Sequence, residues 1–101
     1  MQFTYWGHSC FSLEDSGIHL LFDPFIRPNP LAKHIQISEI KPTHVFISHG
    51  HEDHIADAIE IATSSQAMMI GSYEVINWIS KHYKGKFQSL NIGGLAIAGQ
   101  F

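Results

Sequence analysis

His49-Gly50-His51-Glu52-Asp53-His54 puts four metal-ligand side chains into six positions. Imidazole nitrogen and carboxylate oxygen are the normal ligands of hard-to-borderline divalent ions. In an extended segment, residues two apart point the same way, so His49 and His51 can grip one ion together. A tight turn over the next residues aims Asp53 and His54 at a second position nearby. Gly50 lets the loop take backbone angles that other residues avoid. Two neighbouring ions lower the pKa of a shared water and clamp the attacking and leaving oxygens, which is hydrolase chemistry. The pattern is not the helical His-Glu-x-x-His of zinc proteases, because only Glu52 and Asp53 separate His51 from His54. The competing reading, a surface loop that happens to be rich in histidine, fits poorly at the end of a buried strand.

Those side chains need a frame. Val45-Phe46-Ile47 is a continuous apolar run, the pattern of a strand buried on both faces, and it leads into a polar loop from Ser48 to His54. Ile55, Ala58, Ile59 and Ala62 recur at helical spacing and fix the loop's far end. Upstream, Phe3 to Trp6, Phe11 to Glu14 and Ile18 to Phe22 read as three strands, with turn chemistry at Asp15-Ser16-Gly17, forming an antiparallel meander. Pro24, Pro28 and Pro30 make residues 24 to 36 an irregular excursion, and a helical turn is expected around Ile37 to Ile40. Downstream, Ala67 to Ile70 reads as a buried strand stopped by Gly71. Ser72 reads as the cap of a helix bearing Val75, Trp78 and Ile79, ended by Gly85. Phe87 to Leu90 and Leu95 to Phe101 read as two more strands. Strands alternating with helices imply an α/β fold with a partly parallel, helix-covered sheet. In a meander the first and third strands run the same way, and a right-handed crossover makes the fourth parallel to the third. His8, Asp23 and His49 then meet at one edge, the usual ligand position in such sheets.

Composition sets bounds. At 101 residues and 45% hydrophobic, the chain has the length and apolar content of one globular domain, residues 1–101. A net charge of -3 gives no expectation of a nucleic-acid partner. The lone Cys10 excludes an intrachain disulfide framework and a cysteine-based zinc ribbon, and reads as a small buried residue. No run reaches the ~18 apolar residues of a membrane span. No signal-peptide pattern opens the chain, so a cytoplasmic location is expected. Ser9 lies in no G-x-S-x-G elbow. His19 and His44 fall within strand patterns and read as structural or solvent-facing. Arg27 reads as a solvated loop charge. Lys81, Lys84 and Lys86 read as a solvated helix end, and Trp6, Trp78 and the phenylalanines as core.

Two further segments, Gly7-His8-Ser9-Cys10-Phe11 and Phe22-Asp23-Pro24-Phe25, flank the strands of the meander. Together with the H-x-H-x-D-H loop they resemble the metallo-β-lactamase-fold hydrolases. The branch is similar to ascorbate-6-phosphate lactonase, with the N-acylphosphatidylethanolamine phospholipase D group as a more distant relative. The resemblance implies the N-terminal half of an αββα sandwich. It implies His49 and His51 as ligands of a first metal and Asp53 and His54 as ligands of a second, with Asp53 also handling protons. Asp23 would support the metal loop from behind, and His8 would stand at the rim in substrate or metal contact. The flavin di-iron branch carries Glu at the position of His51, so hydrolysis is expected rather than reduction of oxygen or nitric oxide.

The implied cofactors are two divalent ions, zinc ahead of manganese, iron or nickel. The implied substrate is a small molecule with an ester, lactone or phosphodiester bond. The alternatives are a phosphodiesterase acting on nucleotides or lipids, and a truncated, metal-poor binding or structural module. The family is longer than this chain and completes its sites with a histidine, a bridging aspartate and a last histidine lying beyond Phe101. Two matched ligands per metal fall short of the usual three of a catalytic zinc, and His34 and His82 match no family position. The strand-like pattern stopping at Phe101 reads as a cut, so the C-terminal half is expected as a fragment or second chain. Alone, the half-sandwich would expose apolar faces and strand edges and is expected to aggregate or pair as a homo-oligomer.

Overall fold

A computed structural model describes residues 1–101. Its frame is a six-stranded mixed sheet whose spatial order repeats the chain order, β1 to β6. β1 (Gln2–Gly7), β2 (Cys10–Asp15) and β3 (Ile18–Phe22) form the antiparallel meander. β4 (His44–Phe46), β5 (Met68–Ser72) and β6 (Phe87–Leu90) add in parallel. Short 3-10 turns occur at Pro30–Ala32 and Ile37–Glu39. Helices α1 (Glu52–Ile55), α2 (Ala58–Ser65) and α3 (Tyr73–Ile79) lie in the parallel crossovers. The α/β expectation holds, and β1, β3 and β4 run the same way.

Strand alternation decides which residues meet the helices. Cys10, Leu21, Val45 and Met69 share a buried cluster with Ile61 and Ala62 of α2 and Ile76 and Ile79 of α3. Ser12, fully buried on the same face, accepts a hydrogen bond from Trp6 Nε1 at 3.0 Å. Burial pushes the Cys10 thiol up to about 12, so it stays protonated and enclosed. Labelling of Cys10 by an aromatic disulfide reagent at mildly alkaline pH should therefore run at least ~10³-fold slower in the native protein than in denaturing urea. Equal rates in both conditions would contradict this packing.

Phe87 packs against the principal cluster, as read, but four other phenylalanines correct the sequence reading. Phe11, Phe22 and Phe46 stack across three adjacent strands, with ring centroids 4.5 and 4.9 Å apart, and Phe3 follows at 5.5 Å from Phe11. They occupy the sheet face turned away from the principal cluster; Phe3 is 62% exposed. Period-2 alternation yields two apolar sets, and nothing local says which set the helices cover. For the same reason Phe46 is half-buried rather than enclosed on both sides. Trp78 is likewise 47% exposed, not core.

Other boundaries shift for identifiable reasons. Ser48–His54 is not all loop, because α1 begins at Glu52. The expected single helix through Ile55 and Ala62 is broken: the Asp57 N–H donates to Pro24 O at 3.0 Å instead of continuing the helical ladder. β5 runs through Gly71 to Ser72, whose hydroxyl caps α3 by accepting from Val75 N. α3 ends at Ile79, before Gly85. Gly85 instead makes room for a neighbouring ring, since a Cβ there would stand 2.1 Å from the Tyr83 hydroxyl. That hydroxyl donates to Ala67 O at 2.6 Å. Leu95–Phe101 forms no strand. Alternation alone does not make one without a partner ladder, and Ala98 and Phe101 instead close a turn on each other. No helix is long and apolar enough to cross a membrane.

Candidate metal centre

β1 and β3 deliver His8 and Asp23 to one edge of the sheet, each one residue past a strand end. Both adopt left-handed backbone angles, φ 54° and 49° respectively. Histidine and aspartate are among the few non-glycine residues enriched there. β4 leads to the loop at the same edge, where Asp23 N donates to Phe46 O at 2.9 Å.

Asp23 organises the loop. It is buried, 7% exposed. Its Oδ1 accepts the Ser48 N–H at 2.7 Å, and its Oδ2 accepts the Ser48 hydroxyl at 2.6 Å and His54 Nδ1 at 2.9 Å. An ionised carboxylate only accepts, so His54 carries its proton on Nδ1 and leaves the Nε2 lone pair free. The Ser48 hydroxyl has one proton, which goes to Asp23. It therefore accepts from His49 Nδ1 at 2.9 Å, which frees His49 Nε2 as well. One carboxylate thus sets the tautomer of two imidazoles, one directly and one through a serine.

The other donors gather around this pair. His8 Nε2 donates to Asp53 Oδ2 at 3.0 Å, and Asp53 Oδ1 lies 3.6 Å from His54 Nε2. Donor atoms of His8, Asp53 and His54 all fall within 4.8 Å of one another. The His8 hydrogen bond is the main influence holding the Asp53 carboxyl below its ordinary range, against some desolvation. The His49 ring stands 4.0 Å from that of His54 and 4.5 Å from that of His51, which is exposed. Phe25 packs against the His8 ring at 5.3 Å, and the Tyr5 hydroxyl donates to His8 O at 2.8 Å.

This donor set suits a divalent ion. In His54 and His49 the Nδ1 side is engaged by Asp23 and Ser48, which leaves Nε2 as the ligating atom, and the Asp53 carboxyl is held below its ordinary range. The sequence pairing, His49 with His51 and Asp53 with His54, is enlarged by His8, which joins Asp53 and His54. His82 lies apart, its ring 4.9 Å from that of Trp78. Arg27 is exposed, as read, and within the solvent it pairs with Glu60 at 2.6 Å. A cavity of about 580 Å³ lies beside the histidine loop, lined by Gly50, Glu52, Ile55, Glu74, Val75 and Trp78, whereas one of about 570 Å³ lined by Tyr83, Lys84 and Lys86 contains none of these groups. Sequence reasoning missed Ser48. The available signal was a small hydroxyl residue directly before the histidine loop.

Comparison with known proteins points the same way. The family model described as "Beta-lactamase superfamily domain" matches residues 2–99. A "UPF0173 metal-dependent hydrolase" of Methylacidiphilum infernorum is 44% identical over 94 residues, covering 93% of this chain and 42% of that protein. Its namesake in Carboxydothermus hydrogenoformans is 42% identical over 101 residues, covering 100% of this chain and 44% of that protein. Among solved structures, Igni18, a novel metallo hydrolase from Ignicoccus hospitalis, matches with a TM-score of 0.78 at 35% identity, covering 94% of this chain and 41% of that one. The chain spans about two fifths of the length of these relatives.

Proposed function

The chain belongs to the beta-lactamase superfamily domain family and carries part of the metallo-β-lactamase fold, and on that premise we propose that it supplies the metal-holding residues of a metal-dependent hydrolase. The observation that carries this reading is the convergence of the His8, Asp53 and His54 donor atoms within 4.8 Å, behind which Asp23 fixes the imidazole tautomer. Relatives named as metal-dependent hydrolases support it. His8, Asp53 and His54 hold one divalent ion, and His49 and His51 offer their rings to a second. Zinc suits this nitrogen-rich set ahead of manganese, iron or nickel. When bound, the ions supply Lewis-acid activation of water.

The chain's own side chains do the remaining work. Asp23 and Ser48 keep the Nδ1 protons of His54 and His49 in place, so neither ring must reorganise. Asp53 would offer the oxygen not engaged by His8 to the ion or to a proton in transit. The substrate is a small molecule with an ester, lactone or phosphodiester bond. Further polypeptide completes the ligand shells and covers the phenylalanine face, and the whole acts in the cytoplasm.

The test uses the full-length natural protein, stripped with chelator and reloaded with single metals. Bound metal is counted by elemental analysis, and hydrolysis is followed with a nitrophenyl ester, a thiolactone and a bis-nitrophenyl phosphate. Turnover of at least one substrate should vanish on stripping and return with metal. A protein that retains no metal at all would leave the binding-module reading instead.

A further inference from the structure

The geometry points to Asp57 as a positioning residue for the centre, an inference that rests on the metal-site reading above. Asp57 fastens the segment after β3 to the junction of α1 and α2, and thereby sets where Asp23 stands beneath Ser48 and His54.

Asp57 occupies the N-cap of α2, where an aspartate side chain ordinarily accepts from an N–H two or three residues on. It makes no such bond. The residue is 4% exposed, and its carboxylate turns to a different segment. Oδ2 accepts the backbone N–H groups of Ile26 at 2.7 Å and Arg27 at 2.8 Å. Its own N–H donates to Pro24 O, the bond that interrupts the helix. Residues 24–27 are therefore tied at three backbone points to one residue. A helix cap given up for a tertiary link is the kind of local conflict that gathers at functional sites.

The elements joined are those that bear the centre. Asp23 directly precedes the first tied residue. Phe25, inside the tied segment, packs on the His8 ring. α1, immediately before Asp57, carries Asp53 and His54. Two short hydrogen bonds to an ionised, buried carboxylate make a stiffer fastening than the neighbouring Arg27–Glu60 pair, whose side chains are 61% and 59% exposed.

The experiment compares wild type, D57A, D57N and E60A in the full-length protein. Zinc affinity is read by competition with a chromogenic chelator. The His54 Nδ1 proton is read by nitrogen-edited NMR of the metal-free protein, a signature that general loss of stability would not move. D57A should weaken zinc binding by ~10-fold or more and broaden or shift the His54 signal. D57N keeps an acceptor oxygen but no charge, so it should weaken binding by ~3-fold and shift the signal less. E60A should leave both at wild-type values. If D57A does not fold, D57N decides alone: wild-type affinity with an unmoved His54 signal overturns the proposal. A wild type that binds no zinc while Asp57 still governs the His54 signal would sink the metal reading and keep the positioning role.

Discussion

Asp23→Ala is expected to weaken divalent-metal binding by ~10- to 100-fold and to destabilise the protein by about 3 kcal/mol. The change strands three donors at once: the Ser48 N–H, the Ser48 hydroxyl and His54 Nδ1. His54 then has no reason to keep its proton on Nδ1, and His49 loses the serine that was held in place for it. Alanine also tolerates the left-handed angle at this position poorly, by about 1 kcal/mol. Two companions separate these effects. Asp23→Gly relieves the backbone but still lacks the carboxylate, so metal affinity should stay low. Asp23→Asn tolerates the backbone angle but brings an amide that both donates and accepts, so stability should recover more than affinity. Chelator competition and thermal melts on the same samples check all three. Wild-type affinity in Asp23→Ala would remove this residue from the orienting role.

Phe22→Ala in the full-length protein is expected to destabilise by about 3–5 kcal/mol. The ring stacks between Phe11 and Phe46, at centroid distances of 4.5 and 4.9 Å, on the sheet face away from the helices. It is half-buried among the residues described. A half-exposed ring contributes less, about 1–2 kcal/mol from partial burial and stacking. The larger value rests on the proposal that further polypeptide covers this face, which the greater length of the relatives supports, since the chain covers 42% and 44% of them. A second layer over this face would bury the aromatic row completely. Urea unfolding of wild type and variant measures the difference, and a value near 1 kcal/mol would mean the face meets water.

The sheet was legible where sequence periodicity and turn residues agreed. Ile18–Phe22 and Phe87–Leu90 are strands with the expected bounds, and the meander and parallel crossover put His8, Asp23 and the histidine loop at one edge. Legibility failed where a distant partner decided the outcome. The break before Ala58 comes from Pro24 O, more than thirty positions away, and no helical pattern encodes it. Leu95–Phe101 alternates like a strand but has no neighbouring ladder. Asp57 precedes a helix as an ordinary cap would, so its link to Ile26 and Arg27 is invisible in the sequence. Of the centre, the ligand types could be read from spacing. The grouping of His8 with Asp53 required the turn after β1 to be folded.

The agreement between strand order and chain order bears on how the protein is made. A polypeptide leaves the ribosome N-terminus first, and here every strand after β1 pairs with the one synthesised just before it. Once β1 and β2 have paired, each later strand finds its partner already translated. The side chains around His54 and the more distant Asp57 all precede β5 in the chain. A nascent chain at that stage already carries these residues, so on the proposed metal reading an ion captured before the sheet is complete would help to hold β3 and β4 together.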